Sequence, residues 1–362
     1  LFDTDPLAAM VTELAGLGLR EVTGRLRVVE GALPQIFQID PEQPAHVGYN
    51  PAISGLNLNF NRVYFQWARQ AGDYTVSLDA RSDALRPVVQ IARMRVEDRS
   101  DPIYTYDQIE GRDHWTVARS ALGDDGARWL PVRRPGAYVA DVFEVLLRAN
   151  GVRFQGVDLA QSPPEVAVVL VEHISDPLAE ILRGMMRWST NLTAEVVGLL
   201  STQASGQRPA DLRTSAGAMS TWMQDRLGAR QARFVDHSGL GDQSRVRAHD
   251  MVSALVAAGP NGMLRGLMRD IPVLDARGNP VANPSVDVVA KTGTLNFVSS
   301  LAGYARTRTG RDLAFAIFCG DVDRRAALSV AQRERPDGGR DYSARARRLQ
   351  QALIDRWSLM YG

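Results

Sequence analysis

The sequence predicts a mixed α/β (α+β) protein of two domains, a strand-rich one over residues 1–129 and a second of helices with an antiparallel sheet over residues 130–362. Three observations predict it. From about Arg20 to Leu130 the apolar residues fall in short, β-branched or aromatic, partly alternating runs separated by Gly, Pro and Asp clusters, the pattern of strands and turns. From Ala137 onward apolar residues recur at helical spacing. Between Val286 and Gly320 three strand-like runs are joined by tight turns, and a helix-period segment closes the chain, so a helix-covered antiparallel meander is expected. A chain of 362 residues is long enough for two such domains.

Taken in order, DPLAAMVTELAGLGL has helical spacing and stops near glycine. GRLRVVEG, RVYFQWAR, YTVSLDA, VVQIARMRV and HWTVAR read as strands. AYVADVFEVLLRAN, after Pro135-Gly136, is an amphipathic helix. VAVVLVEHI (166–174) and LAFAIF (313–318) read as buried strands. DPLAEILRGMMRWS, NLTAEVVGLLSTQA, SAGAMSTWMQDRLG and AHDMVSALVAAG are further helices. VDVVAKTG, SLAGYARTR and DLAFAIFCG form the meander, with turns at TLNF and RTGRD, and YSARARRLQQALIDRW is the last helix. There is no internal repeat and no low-complexity tract.

Composition weighs against several function classes. Hydrophobic residues make up 45% and charged residues 23%, ordinary globular values. The formal net charge is +1 with no long run of one sign, which argues against nucleic acid or a membrane surface as the main partner. No apolar run approaches the roughly 18 residues of a spanning helix, so no transmembrane segment is expected. Cys319 is the one cysteine, which excludes an intramolecular disulfide, and its place at the end of an apolar run suits a buried thiol. The chain starts at Leu1 rather than methionine, so a processed or trimmed N-terminus is expected.

Three stretches carry candidate chemistry. Lys291 is the only lysine among 42 basic residues and sits in AKTGT at the end of an apolar strand run. A chain that uses arginine elsewhere would use it at an ordinary surface site. The retained lysine therefore suits a position that wants a compact ammonium rather than a planar fork. Gly293 leaves room for an extended ligand along the strand, and Thr292 and Thr294 add hydroxyls able to bind a carboxylate. A surface strand end with a turn glycine accounts for the tripeptide equally well. In RWSTNLTAEVV, Ser189 follows one helix and Asn191 opens the next. The pair reads either as helix capping or as a hydroxyl and an amide facing a cleft. Asn191-Leu192-Thr193 also fits a glycosylation sequon, but a helix start is a poor acceptor loop. FVDHSGLGDQSRVRAHDM is a turn-rich loop best read as capped by its own side chains. The five histidines, His46, His114, His173, His237 and His249, show no metal-ligand spacing and suggest no Ser-His-Asp triad. No metal or cofactor is expected.

In order and spacing these stretches resemble the penicillin-recognising serine acyltransferases, whose signature is Ser-x-x-Lys, Ser-Asp-Asn and Lys-Thr-Gly. Ser189-Thr190-Asn191 matches the second element and Lys291-Thr292-Gly293 the third. DHSGLGDQSRVRAHDM, AKTGTLNFVSSLAGY and DPLAAMVTELAGLGLREVTGRLRV narrow the resemblance to class C low-molecular-mass penicillin-binding proteins, the D-alanyl-D-alanine carboxypeptidase/endopeptidase family. His237 stands where that family has glycine. The resemblance implies a penicillin-binding/β-lactamase-like transpeptidase core over residues 130–362, with residues 1–129 as a strand-rich inserted domain. It implies catalytic roles for Ser189, Asn191 and Lys291, and substrate binding by Thr292, Gly293 and Thr294. It also implies peptidoglycan peptides ending in D-Ala-D-Ala as substrate, β-lactams as inhibitors, and a periplasmic or other extracytoplasmic location. With lysine at 291 alone, these residues hold no Ser-x-x-Lys. The nucleophile is expected upstream of Leu1. The alternative is a non-catalytic peptidoglycan-binding or scaffolding relative that has lost it.

Overall fold

The structure is a computed structural model that describes residues 2–275, 277–334 and 336–362. Helix α1 (Thr4–Gly16) starts at Asp3, whose carboxylate accepts the Asp5 N–H at 3.0 Å. Short strands β1 (Glu21–Val22) and β2 (Leu26–Val29) follow. A long irregular stretch leads into β3 (Arg62–Gln70), β4 (Asp73–Asp79), β5 (Ala92–Glu97), β6 (Tyr104–Ile109), β7 (Arg112–Ala118) and β8 (Asp125–Pro131). Helix α2 (Pro135–Ala149) opens on proline, where the missing N–H has no intrahelical partner to lose. After β9 (Arg153–Phe154) and β10 (Val157–Ala160) come helices α3 (Leu178–Trp188), α4 (Asn191–Ala204), α5 (Leu212–Leu227), α6 (Ala248–Ala258) and α7 (Met263–Leu267). Strands β11 (Arg269–Asp270), β12 (Val286–Leu295), β13 (Val298–Thr307) and β14 (Asp312–Gly320) form the meander, and α8 (Val322–Ala326) and α9 (Gly339–Tyr361) close the chain.

Contacts divide these elements into two units, Leu1–Asp176 with Asn191–Asp211, and Pro177–Thr190 with Leu212–Gly362. In the first unit β3 lies between β4 and β8, all antiparallel, while β7 lies between parallel β5 and antiparallel β6. Two parallel pairs, β1 with β9 and β2 with β10, complete it. Val63 and Phe65 of β3, Trp115 and Val117 of β7, Leu130 of β8 and Tyr138, Val142 and Leu147 of α2 are buried in one core. The period of two on the strands and of four on the helix is what turns each set to one side. Asn59, Phe60 and Asn61 all adopt left-handed backbone, with φ of 50°, 58° and 53°. Asparagine tolerates this region better than most residues. Asn59 is held by Thr4 and by the Tyr138 hydroxyl at 2.9 Å.

In the second unit the sheet order is β11-β12-β13-β14, antiparallel throughout. Val286, Val288 and Ala290 of β12 pack with Leu301, Phe315, Ile317 and Ile354. Gly303 is required by this packing, since a Cβ there would stand 2.2 Å from the Val289 carbonyl oxygen. The turn predicted over TLNF is shorter. Thr294 and Leu295 continue β12, and only Asn296 and Phe297 separate it from β13. Phe297 takes the left-handed position of this turn at φ 62°. Its ring is fully buried, edge-on to Tyr342 at 5.9 Å and beneath the Arg324 guanidinium at 4.2 Å.

One predicted strand is corrected. Residues 166–174 have no regular structure, and Val166 (87%), Val168 (82%) and Ile174 (79%) are exposed. An apolar run becomes a buried strand only where another strand pairs with it, and none of the described residues does so.

The anchoring of the turn predicts that Phe297→Ala lowers stability by about 3–5 kcal/mol, the usual cost of emptying a buried aromatic site. Chemical denaturation followed by fluorescence and circular dichroism checks this.

Candidate active site

With Val286, Val288 and Ala290 turned into the core, the period of two turns Lys291 to the other face of β12. Its ammonium donates to the Ser189 hydroxyl and, at 2.5 Å, to the Thr292 carbonyl. Burial holds the Lys291 pKa below the ordinary lysine value, and the nearby positive charge of Arg269 lowers it further.

Ser189 reaches this position through an uncommon backbone. It ends α3 in the left-handed region, at φ 55° and ψ 49°, with its N–H bonded to the Met185 carbonyl at 2.8 Å. Sequence reading offered it as a cap for the following helix; the structure uses it as the C-terminal cap of α3. The next residue adds a second cost, because the Thr190 hydroxyl is buried with no hydrogen-bond partner among the described residues. A non-glycine residue in left-handed backbone costs of order 1–3 kcal/mol, and such positions cluster at functional sites.

Of the remaining motif residues, Thr292 is half-buried while Gly293 and Thr294 are exposed along β12. Gly293 is not in the turn, and a Cβ there would meet nothing nearer than Ser300 Cβ at 3.6 Å among the described residues. Neither backbone nor packing asks for glycine at this position. Asn191 belongs to the first unit, where its amide donates to the Tyr49 carbonyl at 2.8 Å. Tyr49 lies in a long irregular stretch braced by buried polar groups. The Arg133 guanidinium donates to the carbonyls of Phe37 (3.1 Å), Asn50 (2.8 Å) and Ala45 (2.6 Å). Gln43 and Asn50 secure Asp40, at 2.8 Å for the Gln43 amide to its carboxylate. Burial lowers the Arg133 pKa to about 10.

Two features escaped the sequence. Ser215 and His237, 22 residues apart, share a hydrogen bond of 2.8 Å between Oγ and Nε2. Ser215 is fully buried, so no substrate reaches its hydroxyl. Next to it, the Asp236 carboxylate accepts the N–H groups of Gly239 (2.7 Å) and Gly241 (2.6 Å), which makes this loop the self-capped turn its composition suggests. Arg269, on β11, donates to the Thr292 hydroxyl at 3.2 Å. Among the described residues no group of three His, Cys, Asp or Glu side chains could hold a metal ion.

The fold and these motifs define a class of known proteins. The crystal structure of penicillin binding protein 4 (dacB) from Haemophilus influenzae matches with a TM-score of 0.71 at 20% identity, over 88% of this chain and 73% of that one. The same protein complexed with a β-lactam matches at a TM-score of 0.66. The fold is therefore that of penicillin binding protein 4. A profile of the D-Ala-D-Ala carboxypeptidase 3 (S13) family matches residues 1–334, and the chain belongs to that family. It is 31% identical over 278 residues to carboxypeptidase DacB of Mycolicibacterium smegmatis, covering 70% of this chain and 58% of the relative. It is 30% identical over 196 residues to D-alanyl-D-alanine carboxypeptidase DacB of Haemophilus influenzae, covering 52% of this chain and 41% of the relative. The chain spans about half the length of these curated relatives.

The backbone at Ser189 predicts that Ser189→Gly is more stable than Ser189→Ala by about 1 kcal/mol, because both lose the hydroxyl but only glycine relieves the strain. Paired thermal melts measure the difference.

Burial lowers the His237 pKa from 6.5 to about 4. As pH falls, the unfolded chain takes up this proton before the folded one. His237 therefore contributes stability that is present above about pH 6.5 and is lost as pH falls from there toward 4. His237→Gln should flatten the melting temperature over that window; an unchanged pH profile would exclude the role.

Proposed function

We propose that this chain is part of a serine D-Ala-D-Ala carboxypeptidase/endopeptidase that acts on peptidoglycan stem peptides through an acyl-enzyme, outside the cytoplasm. One observation carries the reading. The lysine of Lys-Thr-Gly is hydrogen-bonded to the serine of Ser-Thr-Asn, 102 residues away, in a member of the S13 family.

The nucleophile must come from outside these residues, since three positions before the one lysine stands Val288 and not serine. We place it in a segment upstream of Leu1. Helix α3 gives that segment a surface. It is strongly amphipathic, yet none of its residues is buried, and Leu178 (59%) and Trp188 (71%) are exposed. The division into an inserted strand-rich domain over 1–129 and a transpeptidase-like core over 130–362 belongs to the same proposal, and the run of six strands from β3 to β8, interrupted by no α-helix, supports it.

In this reaction the upstream serine attacks the carbonyl of the penultimate D-Ala, with the lysine of its own motif as base. Lys291 holds the Ser189 hydroxyl, which passes a proton to the leaving amine. The lowered pKa of Lys291 supports this relay, since the ammonium releases its proton more readily than a surface lysine does. Asn191 orients the peptide carbonyl, and Thr292 and Thr294 bind the terminal carboxylate beside the open backbone of Gly293. The N–H groups of Thr294 and of the nucleophile form the oxyanion hole, where one donor is worth about 3–4 kcal/mol. Water then cleaves the acyl-enzyme. A β-lactam acylates the same serine and leaves slowly.

The test is labelling by a fluorescent penicillin, read by intact mass, of the protein expressed from its complete gene. One adduct on a serine upstream of Leu1 is expected. A folded protein without adduct, and without an upstream Ser-x-x-Lys, would leave peptide binding as the remaining role of the cleft. In the labelled protein Lys291→Arg is expected to abolish acylation, and labelling near the wild-type level would refute the role given to Lys291.

A further inference from the structure

The strand-rich region carries a cleft of its own. A cavity of about 770 Å³ is lined by residues 76–78 of β4 and by the β5-β7-β6 sheet. Met94 and Trp115 are buried on one side of that sheet. The period of two turns Arg93 and Arg95 of β5, His114 and Thr116 of β7, and Thr105 and Asp107 of β6 to the other. Strand pairing aligns them in two rows, Arg93 with His114 and Asp107, and Arg95 with Thr116 and Thr105.

Part of this face is fixed and part is free. The Arg99 guanidinium donates to the Thr116 hydroxyl at 2.6 Å, to the Pro102 carbonyl at 2.7 Å and to the Glu97 carboxylate. Thr116 and Thr105 share a further hydrogen bond. These groups form the floor, and the donors of Arg99 are spent on it. The two arginines of β5 are not committed in this way. Arg93 is exposed and meets no carboxylate among the described residues. Arg95 reaches Glu97 at 3.2 Å with its own side chain 76% exposed. Such a surface pair contributes little, and here its acid is shared with Arg99. Asp107 stands two strands away, on β6. Strand β5 is therefore a basic edge beside a cavity.

Spacing and surroundings say what this edge can receive. Arg93 and Arg95 are two residues apart on one face, roughly 7 Å along the strand. Each guanidinium is a planar fork that matches the two oxygens of a carboxylate. Strand β5 pairs with β7 alone, and an extended peptide laid along such an edge presents every second side chain to the same side. Ile109, 44% exposed, adds an apolar contact to the lining. Two forks at strand spacing beside an apolar side chain suit a carboxylate-bearing peptide better than a lone inorganic anion.

We propose that this sheet face is a second binding site, where Arg93 and Arg95 receive carboxylates of peptidoglycan peptides other than the one being cleaved. It holds the polymer and takes no part in the chemistry. The identity of the polymer rests on the reading under Proposed function; the preference for carboxylates does not.

The experiment measures co-sedimentation of the protein from its complete gene with purified peptidoglycan sacculi, native or with their carboxylates converted to amides. Wild-type protein is expected to bind native sacculi about tenfold or more tightly than amidated ones. The double variant Arg93→Gln/Arg95→Gln is expected to lose about tenfold or more in affinity for native sacculi, the usual value of charge-assisted hydrogen bonds, and to bind amidated sacculi as the wild type does. Arg93→Glu, which sets a carboxylate against the carboxylates of the wall, is expected to lose as much, and it carries the test if circular dichroism shows the double variant unfolded. Unchanged affinity of the variants overturns the proposal. So does an equal fall for both forms of sacculi, or wild-type binding that survives amidation, as binding to phosphate groups of the wall would. Labelling by the fluorescent penicillin separates the two readings. Protein that binds sacculi through these arginines but takes no adduct would refute the functional reading and leave the site standing.

Discussion

The ammonium of Lys291 is tied to the Ser189 hydroxyl and the Thr292 carbonyl, and it is partly withdrawn from water. Withdrawing a charge is costly unless its donors are met. Both acceptors stand at fixed places on backbone, one at the left-handed end of α3 and one on the neighbouring residue of the same strand. A guanidinium in this position would bring five donors in a flat fork to a pair of acceptors, leaving several unpaired. That asymmetry gives a physical reason for one lysine to remain in a chain whose other cations are arginine.

The hold on the ammonium comes from the opposite side of the strand. Side chains on β12 alternate between faces, so a slip of one residue against β13 would drive Lys291 into the core and expose Val288 and Ala290. Three features fix the register. The valines fill one face, Gly303 lets β13 pass close over the Val289 carbonyl, and the buried ring of Phe297 locks the two-residue turn. The polar site is thus set by apolar packing that never touches it.

In the first unit the logic is reversed, and polar groups do the packing. Arg133 and Asp40 organise the irregular stretch that ends in the left-handed turn at Asn59 to Asn61, and its Tyr49 carbonyl receives the Asn191 amide. Burying Arg133 lowers its pKa, yet three carbonyls meet its donors. A long loop braced in this way can hold a side chain in place as a strand would.

By itself the sequence determined whatever depends on neighbours along the chain. The period of four in AYVADVFEVLLRAN and the period of two in VDVVAKTG specify α2 and β12, because which side of a helix or strand is apolar is a local property. The lone lysine and the order of Ser189, Asn191 and Lys291 pointed to the family for the same reason. The tertiary structure alone decided what depends on partners distant in sequence. It left the apolar run at 166–174 outside, since hydrophobicity favours burial but does not supply a partner strand. It joined Ser215 to His237, put Ser189 in left-handed backbone, and brought one arginine among many, Arg269, to the hydroxyl of Thr292. These are meetings in space, and no local pattern encodes them.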